Sequence, residues 1–322
     1  MALSTMNREK EETMWSNIAG RMLVHTILHP MDFAKVLIQI GHEPIAPRES
    51  RTLFGKPALA LPNIIHYVKY IKSVDGFSGC YRGLVPKLCA DAVSTVAVEK
   101  FMESEYFLKY FPERDTRKEE IIDDLPEPER RDAYVKTLAK DIVCRIIGVI
   151  ASHPLDVIAL RTMAQFVGGE TKYNGIFGSL KEVYRENGLF GYYSGLVPRL
   201  IANISTLVLV SSSTYFINKY LIRDRALKRY TSSAVTIVAT TITYPLLVIY
   251  PCMAVNNCGL AAGVPPQMPI YTSWLDCWRH LSSINESKRG SNLIWRYYTG
   301  PQVIINGRLT ALNKSDFFKQ VS

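Results

Sequence analysis

Charge is missing from long parts of this chain. Residues 230–275 contain no Asp, Glu, Lys or Arg, and residues 200–218 are equally uncharged. Stretches of that length, when helical, cross a hydrocarbon layer of ~30 Å. The overall 48% of hydrophobic residues and mean hydropathy of +0.03 conceal this segregation. The six cysteines (Cys80, Cys89, Cys144, Cys252, Cys258, Cys277) include no CxxC pair, which argues against a zinc site or a disulfide framework. Paired carboxylates, a nucleophile–base pair and a cofactor fingerprint are all lacking, so neither enzymatic activity nor a cofactor is expected. The run 168–175, GGETKYNG, lacks the Lys-Ser/Thr ending of a phosphate loop. His29 and His153 each precede a proline, but no third ligand joins them, so no metal is expected either. The first 15 residues mix Glu9, Glu11 and Glu12 with Arg8 and Lys10, which suits neither a secretory signal nor an acid-poor presequence.

What is present repeats. Pro30-Met31-Asp32-Phe33-Ala34-Lys35 is echoed by Pro154-Leu155-Asp156-Val157-Ile158-Ala159-Leu160-Arg161 and more faintly by Tyr244-Pro245-Leu246-Leu247. Downstream of each lies a second echo: Tyr81-Arg82-Gly83-Leu84-Val85-Pro86-Lys87-Leu88, then Tyr193-Ser194-Gly195-Leu196-Val197-Pro198-Arg199-Leu200, then the remnant Tyr298-Thr299-Gly300-Pro301. The net charge of +9 is spread over loops and helix ends. That spread argues against nucleic acid as a partner and favours anionic lipid headgroups, at ~1 kcal/mol per well-placed residue.

The pattern predicts an all-α membrane protein of one domain with three pseudo-repeats. Repeat 1 spans about 16–107, with a first helix over 16–40 kinked at Pro30 and a second from Pro86 to about 107. Its second helix carries Asp91, Glu99, Lys100 and Glu103, so it cannot face lipid all round. A charged, proline-rich loop at 112–132 separates it from repeat 2, about 135–221, kinked at Pro154. Truncated repeat 3, about 232–301, is kinked at Pro245 and Pro251. Short amphipathic helices at 63–73, 176–186 and 271–284 read as interfacial. A sixth span belongs after Pro301, but the polar tail 302–322 is too short and too interrupted to supply it, which leaves five membrane helices.

These motifs resemble the mitochondrial carrier superfamily, whose pattern is Pro-x-acid-x-x-base followed by acid-Gly, four residues, aromatic, base, Gly. Repeat 1 satisfies it with Pro30, Asp32, Lys35, Asp75, Gly76, Tyr81, Arg82 and Gly83. Repeat 2 has Ala159 and Ser194 where bases belong, and repeat 3 has Leu247 and Tyr250 in place of the charged pair. The stretches KVLIQIGHEP, MAVNNCGLAAG and PIYTSWLDCW are similar to the mitochondrial carrier homolog group. That resemblance implies a multi-pass protein of the mitochondrial outer membrane. It also implies roles in inserting α-helical, notably tail-anchored, proteins and in docking an apoptosis-promoting partner.

In a carrier the three acid–base pairs close a ring beneath a central cavity. Here at most one link of that ring forms and one wall is gone, which disfavours alternating access. Retained polar residues instead read as the lining of a groove open to lipid: Lys35, Asp91, Asn203, Tyr244 and Asn256. Asp32, Lys35, Asp156 and Arg161 read as a remnant salt-bridge motif. Blander readings stand beside these. Lys35 with Asp32 or Asp156 makes a mere structural pair, Asn203, Ser205, Thr206, Ser211 and Ser212 make helix-packing contacts, and Asn256-Asn257 makes a helix cap. The expected function is an insertase for tail-anchored clients, with membrane lipids as further partners. The alternatives are a docking receptor for soluble apoptosis or metabolism regulators and a solute carrier.

Overall fold

A computed structural model describes residues 2–52, 55–111, 127–222, 225–300, 302–305 and 308–311. Five long helices dominate: α1 (Ala2–Gln39), α3 (Leu84–Met102), α5 (Glu127–Ala164), α7 (Leu196–Tyr220) and α8 (Arg225–Val255). Between them lie α2 (Ile64–Gly79), α4 (Glu105–Tyr110), α6 (Ile176–Asn187) and α9 (Trp274–Ser283). Among the described residues three helices are long and apolar enough to cross a membrane, over Glu129–Ala164, Leu189–Tyr220 and Tyr230–Val255. Pro30, Pro154, Pro245 and Pro251 all sit inside helices, as their apolar surroundings predict. Helix α5 starts at Glu127, inside the segment expected to be a charged loop; residues 112–126 lie outside the described residues.

In repeats 1 and 2 the two motifs meet in space. His29 donates from Nε2 to the Arg82 carbonyl at 2.9 Å and stacks on Tyr81, with centroids 6.2 Å apart. His153 does the same to the Ser194 carbonyl at 3.1 Å and to Tyr193 at 6.1 Å. Gly83 and Gly195 cap α3 and α7 at left-handed φ of 83° and 79°. A Cβ on Gly83 would lie 2.9 Å from the Ala159 carbonyl oxygen, and one on Gly195 would lie 2.8 Å from that of Tyr250. Each glycine therefore lets one repeat's second helix seat against the backbone of the next repeat's proline-containing helix.

A large core cluster sits at this end of the bundle, where Phe33 and Leu37 of α1 and Tyr67 and Ile71 of α2 meet Ile158 of α5, Tyr173 and Leu260. Arg161 is fully buried beside it and ties α5 to the end of α8. Its Nε donates to the Ala254 carbonyl at 3.0 Å and its Nη1 to the Tyr173 hydroxyl at 3.3 Å. Just beyond α1, burial pushes the His42 imidazole down to about 4, so at neutral pH the ring that packs edge-on against Phe166 is uncharged.

The all-α expectation needs one correction. Within the supposed loop 41–62, β1 (Arg48–Arg51) and β2 (Pro57–Leu61) pair antiparallel, and β3 (Arg296–Tyr297) joins β2. Arg296 anchors the sheet through the Pro62 carbonyl at 2.9 Å and an ion pair with Glu43. This pairing joins residues more than 200 positions apart, which local periodicity does not register. The tail is no span over its described part: β4 (Gln302–Ile305) and β5 (Arg308–Ala311) form an antiparallel hairpin. Residues 312–322 lie outside the described residues.

The glycine seats generate a stability test. Gly195→Val adds a close approach to a left-handed backbone and should cost about 1–3 kcal/mol, read as a lowered thermal midpoint in detergent. Gly178→Ala, whose Cβ meets nothing within 4 Å, should leave the midpoint unchanged.

Candidate functional site: a charged centre and a polar seam

Three charges from three helices converge in the bundle. Asp156, two residues beyond Pro154 on α5, accepts from Lys87 Nζ on α3 at 2.9 Å and pairs with Arg199 Nη2 on α7 at 2.6 Å. Ser152 Oγ adds a third donor at 3.1 Å. The carboxylate side chain is 4% exposed, so both cations are needed to offset its desolvation. Arg199 also donates from Nη1 to His153 Nδ1 at 3.0 Å and lies 5.1 Å from the Tyr250 ring centroid. With His153 donating from Nε2 to Ser194, its Nδ1 is left free to accept; the network sets the tautomer.

The remnant salt-bridge motif is thereby rearranged. Asp156 is ionically paired, but with Lys87 and Arg199 rather than with Lys35 or Arg161. Arg161 lies five residues along α5, on the far side of the helix, and donates from Nε to Ala254 and from Nη1 to Tyr173. Among the described residues no ion pair involves Asp32, Lys35 or Arg161. Lys87 and Arg199 were not singled out from the sequence, although each follows the proline of a repeated LVP motif. That shared spacing is the signal that would have found them.

The five proposed groove residues divide. Lys35 and Tyr244 are neighbours, with Lys35 Nζ 5.8 Å from the ring centroid. The Tyr244 hydroxyl accepts from Gln39 Nε2 at 3.2 Å and donates to the Arg289 carbonyl at 3.3 Å, so α1 and α8 are joined here. Below the junction Arg289 Nε reaches the Gln39 carbonyl at 2.5 Å, and Cys252 Sγ donates to the same oxygen at 3.4 Å. Toward the other end of these two helices, Leu23, Val24 and Ile27 of α1 and Ile237, Val238 and Ile242 of α8 are exposed.

Asp91 lies one turn beyond Lys87 on α3, 3.6 Å from His25 Nε2, and its Oδ2 is buried without a hydrogen-bond partner. Asn203 lies one turn beyond Arg199 on α7 and donates back to the Arg199 carbonyl at 2.8 Å. Thr206 follows on the same face and meets Thr243 of α8, hydroxyl to hydroxyl, at 2.7 Å. Arg199, Asn203, Thr206, Thr214 and Asn218 thus mark a polar seam at helical spacing along α7. Asn256 stands apart from all of these. Its amide clamps the Tyr271 backbone in both directions, at 2.8 and 3.0 Å, and Asn257 leaves the helix at a left-handed φ of 48°. That arrangement ends α8 and fixes the chain entering α9.

A family model for mitochondrial carrier proteins matches residues 12–114 and 131–225. Mitochondrial carrier homolog 2 of Mus musculus is 38% identical over 280 residues, covering 84% of this chain and 90% of its own length. Mitochondrial carrier homolog 1 of Mus musculus is 35% identical over 295 residues, covering 85% and 74% respectively. Mitochondrial thiamine pyrophosphate carrier 1 of Neurospora crassa is more distant, 24% identical over 262 residues, with coverage of 76% and 72%. Two motif-bearing repeats, apolar helices long enough to span a bilayer and these likenesses agree: the chain belongs to the mitochondrial carrier family, within its mitochondrial carrier homolog group, and is a mitochondrial membrane protein.

Proposed function

We propose that this protein is an insertase of the mitochondrial outer membrane for α-helical, notably tail-anchored, proteins. In this reading α1 and α3 join the three apolar helices as spans, giving five membrane helices in three pseudo-repeats. The observation that carries the reading is the junction at Lys35 and Tyr244. Away from it α1 and α8 carry exposed apolar side chains, and the described tail is a hairpin rather than a helix. A polar interior that meets lipid along one flank lowers the cost of drawing a hydrophilic segment through hydrocarbon, where one charge costs ~2.5–3.5 kcal/mol on insertion scales. The apolar helix of the client then leaves sideways into the bilayer. No covalent chemistry is needed.

A carrier cycle has less support. Its gate requires acid–base pairs that open and close, whereas the pair positions Ala159 and Tyr250 here serve as seats for Gly83 and Gly195. Placement in the outer membrane and an apoptosis-promoting docking partner follow from the family likeness alone.

Reconstitution of the purified chain into liposomes provides the test. A tail-anchored client should acquire a protease-protected fragment, and Lys35→Glu should lower its yield at least threefold without changing the thermal midpoint. A pure docking receptor would give no protected fragment, and saturable uptake of a small solute would replace the insertase by a carrier. Asp156→Asn should behave differently. It leaves Lys87 and Arg199 facing each other without their carboxylate and should destabilise the fold by about 3–5 kcal/mol, measured by unfolding in detergent.

A further inference from the structure

The segment that follows α9 ties together α1 and α8, the two helices of the lateral flank. Residues 286–298 first lie against repeat 1. The Ile64 N–H donates to the Leu293 carbonyl at 2.9 Å, the Tyr298 N–H donates to that of Leu59 at 2.8 Å, and Arg296 and Tyr297 pair with Leu61 and Ala60. From the same segment Arg289 reaches into the junction of α1 and α8, with its side chain 13% exposed. Its three nitrogens serve three partners. Nε donates to the Gln39 carbonyl at 2.5 Å, Nη1 pairs with Glu286 at 2.9 Å, and Nη2 donates to Cys252 Sγ at 3.1 Å. The Arg289 carbonyl in turn accepts from the Tyr244 hydroxyl at 3.3 Å.

Gln39 is the last residue of α1, where carbonyls run out of intrahelical donors and the helix dipole is negative. A guanidinium from 250 positions along the chain caps that end and at the same time grips α8 through Cys252 and Tyr244. Two glycines make room for it. A Cβ on Gly41, at φ 89°, would lie 2.7 Å from Arg289 Nη1, and one on Gly290, at φ 78°, would lie 3.2 Å from the Tyr244 hydroxyl. Farther along the two helices, about 18 Å back from Gln39 at 1.5 Å per residue, Ile27 is exposed, and so is Ile242 of α8. We propose that residues 286–298 form a strap, latched by Arg289, which holds α1 against α8 and restrains the lateral opening of the bundle. Releasing the latch uncaps α1 and lets it part from α8. This restraint is a property of the fold, whereas its consequence, that a closed strap limits client entry, rests on the insertase reading.

Double electron–electron resonance on the full chain in lipid nanodiscs tests the strap. Spin labels are carried by unnatural side chains at the positions of Ile27 and Ile242, with the native cysteines left in place. The parent should give one narrow distance. Arg289→Gln should add a population longer by about 5 Å, one helical turn. Arg289→Lys keeps a charge beside Glu286 but lacks the fork that serves three partners at once, so it should add a smaller share of the same population. Arg279→Gln, an exposed position on α9, should leave the single distance unchanged. In liposomes the protected fragment of a tail-anchored client should rise about twofold in Arg289→Gln, following the open share. A parent that yields no fragment defeats the insertase reading and leaves the strap to be judged by the distances. Should Arg289→Gln fail to fold, Arg289→Lys decides. One narrow, unshifted distance in the folded Arg289 variants, even at a lowered thermal midpoint, overturns the strap and leaves Arg289 a structural cap; the longer population in Arg279→Gln overturns it equally.

Discussion

The buried triad of Asp156, Lys87 and Arg199 is the constraint around which the bundle is organised. A carboxylate this deeply enclosed persists as an anion only because two cations reach it from different helices, and each cation in turn is committed to that partner. The three helices involved, α3, α5 and α7, are thereby fixed in register with one another. Everything nearby extends the same network: Ser152 completes the carboxylate's hydrogen bonds, His153 accepts from Arg199, and Tyr250 offers its ring face to the guanidinium.

The same triad explains why the family's charge pattern has thinned without the fold being lost. The positions where a carrier keeps its bases, Ala159 and Tyr250, are here used for backbone contact with Gly83 and Gly195. One central ion pair with two cations holds what a ring of three pairs would hold, while the glycine seats supply close packing. A ring can open in turn; a single buried centre locked by shape cannot do so without large cost. Rigidity at one end therefore goes together with separation at the other. Beyond the group around Tyr244, Gln39 and Arg289 that ties α1 to α8, apolar side chains of both helices remain exposed.

The polar seam on α7 links the two ends. From Arg199 through Asn203 and Thr206 to Thr214 and Asn218, it keeps hydrogen-bonding groups on one helix face across the apolar stretch. Some of these groups are satisfied by their own helix or by α8, and they pack helices together as small polar residues do in membranes. Others, at the far end, have no hydrogen-bond partner among the described residues. The seam is thus structural near the charged centre and unsatisfied toward the far end of α7.

The amino-acid sequence by itself determined the long helices, the prolines within them and the doubled motifs, because helix periodicity and uncharged length are local properties. It also pointed to Lys35 and Tyr244, which do meet. Only the tertiary structure decided which charges pair. Asp156 reaches Lys87 and Arg199 across helices while Arg161, on its own helix, faces away, and spacing along one helix says nothing of what a neighbouring helix brings. The small sheet was decided the same way, since β2 and β3 lie more than 200 residues apart. The β4–β5 hairpin is local, and the Asn-Gly dipeptide between its strands is a turn signal that the helix-based expectation for the tail passed over.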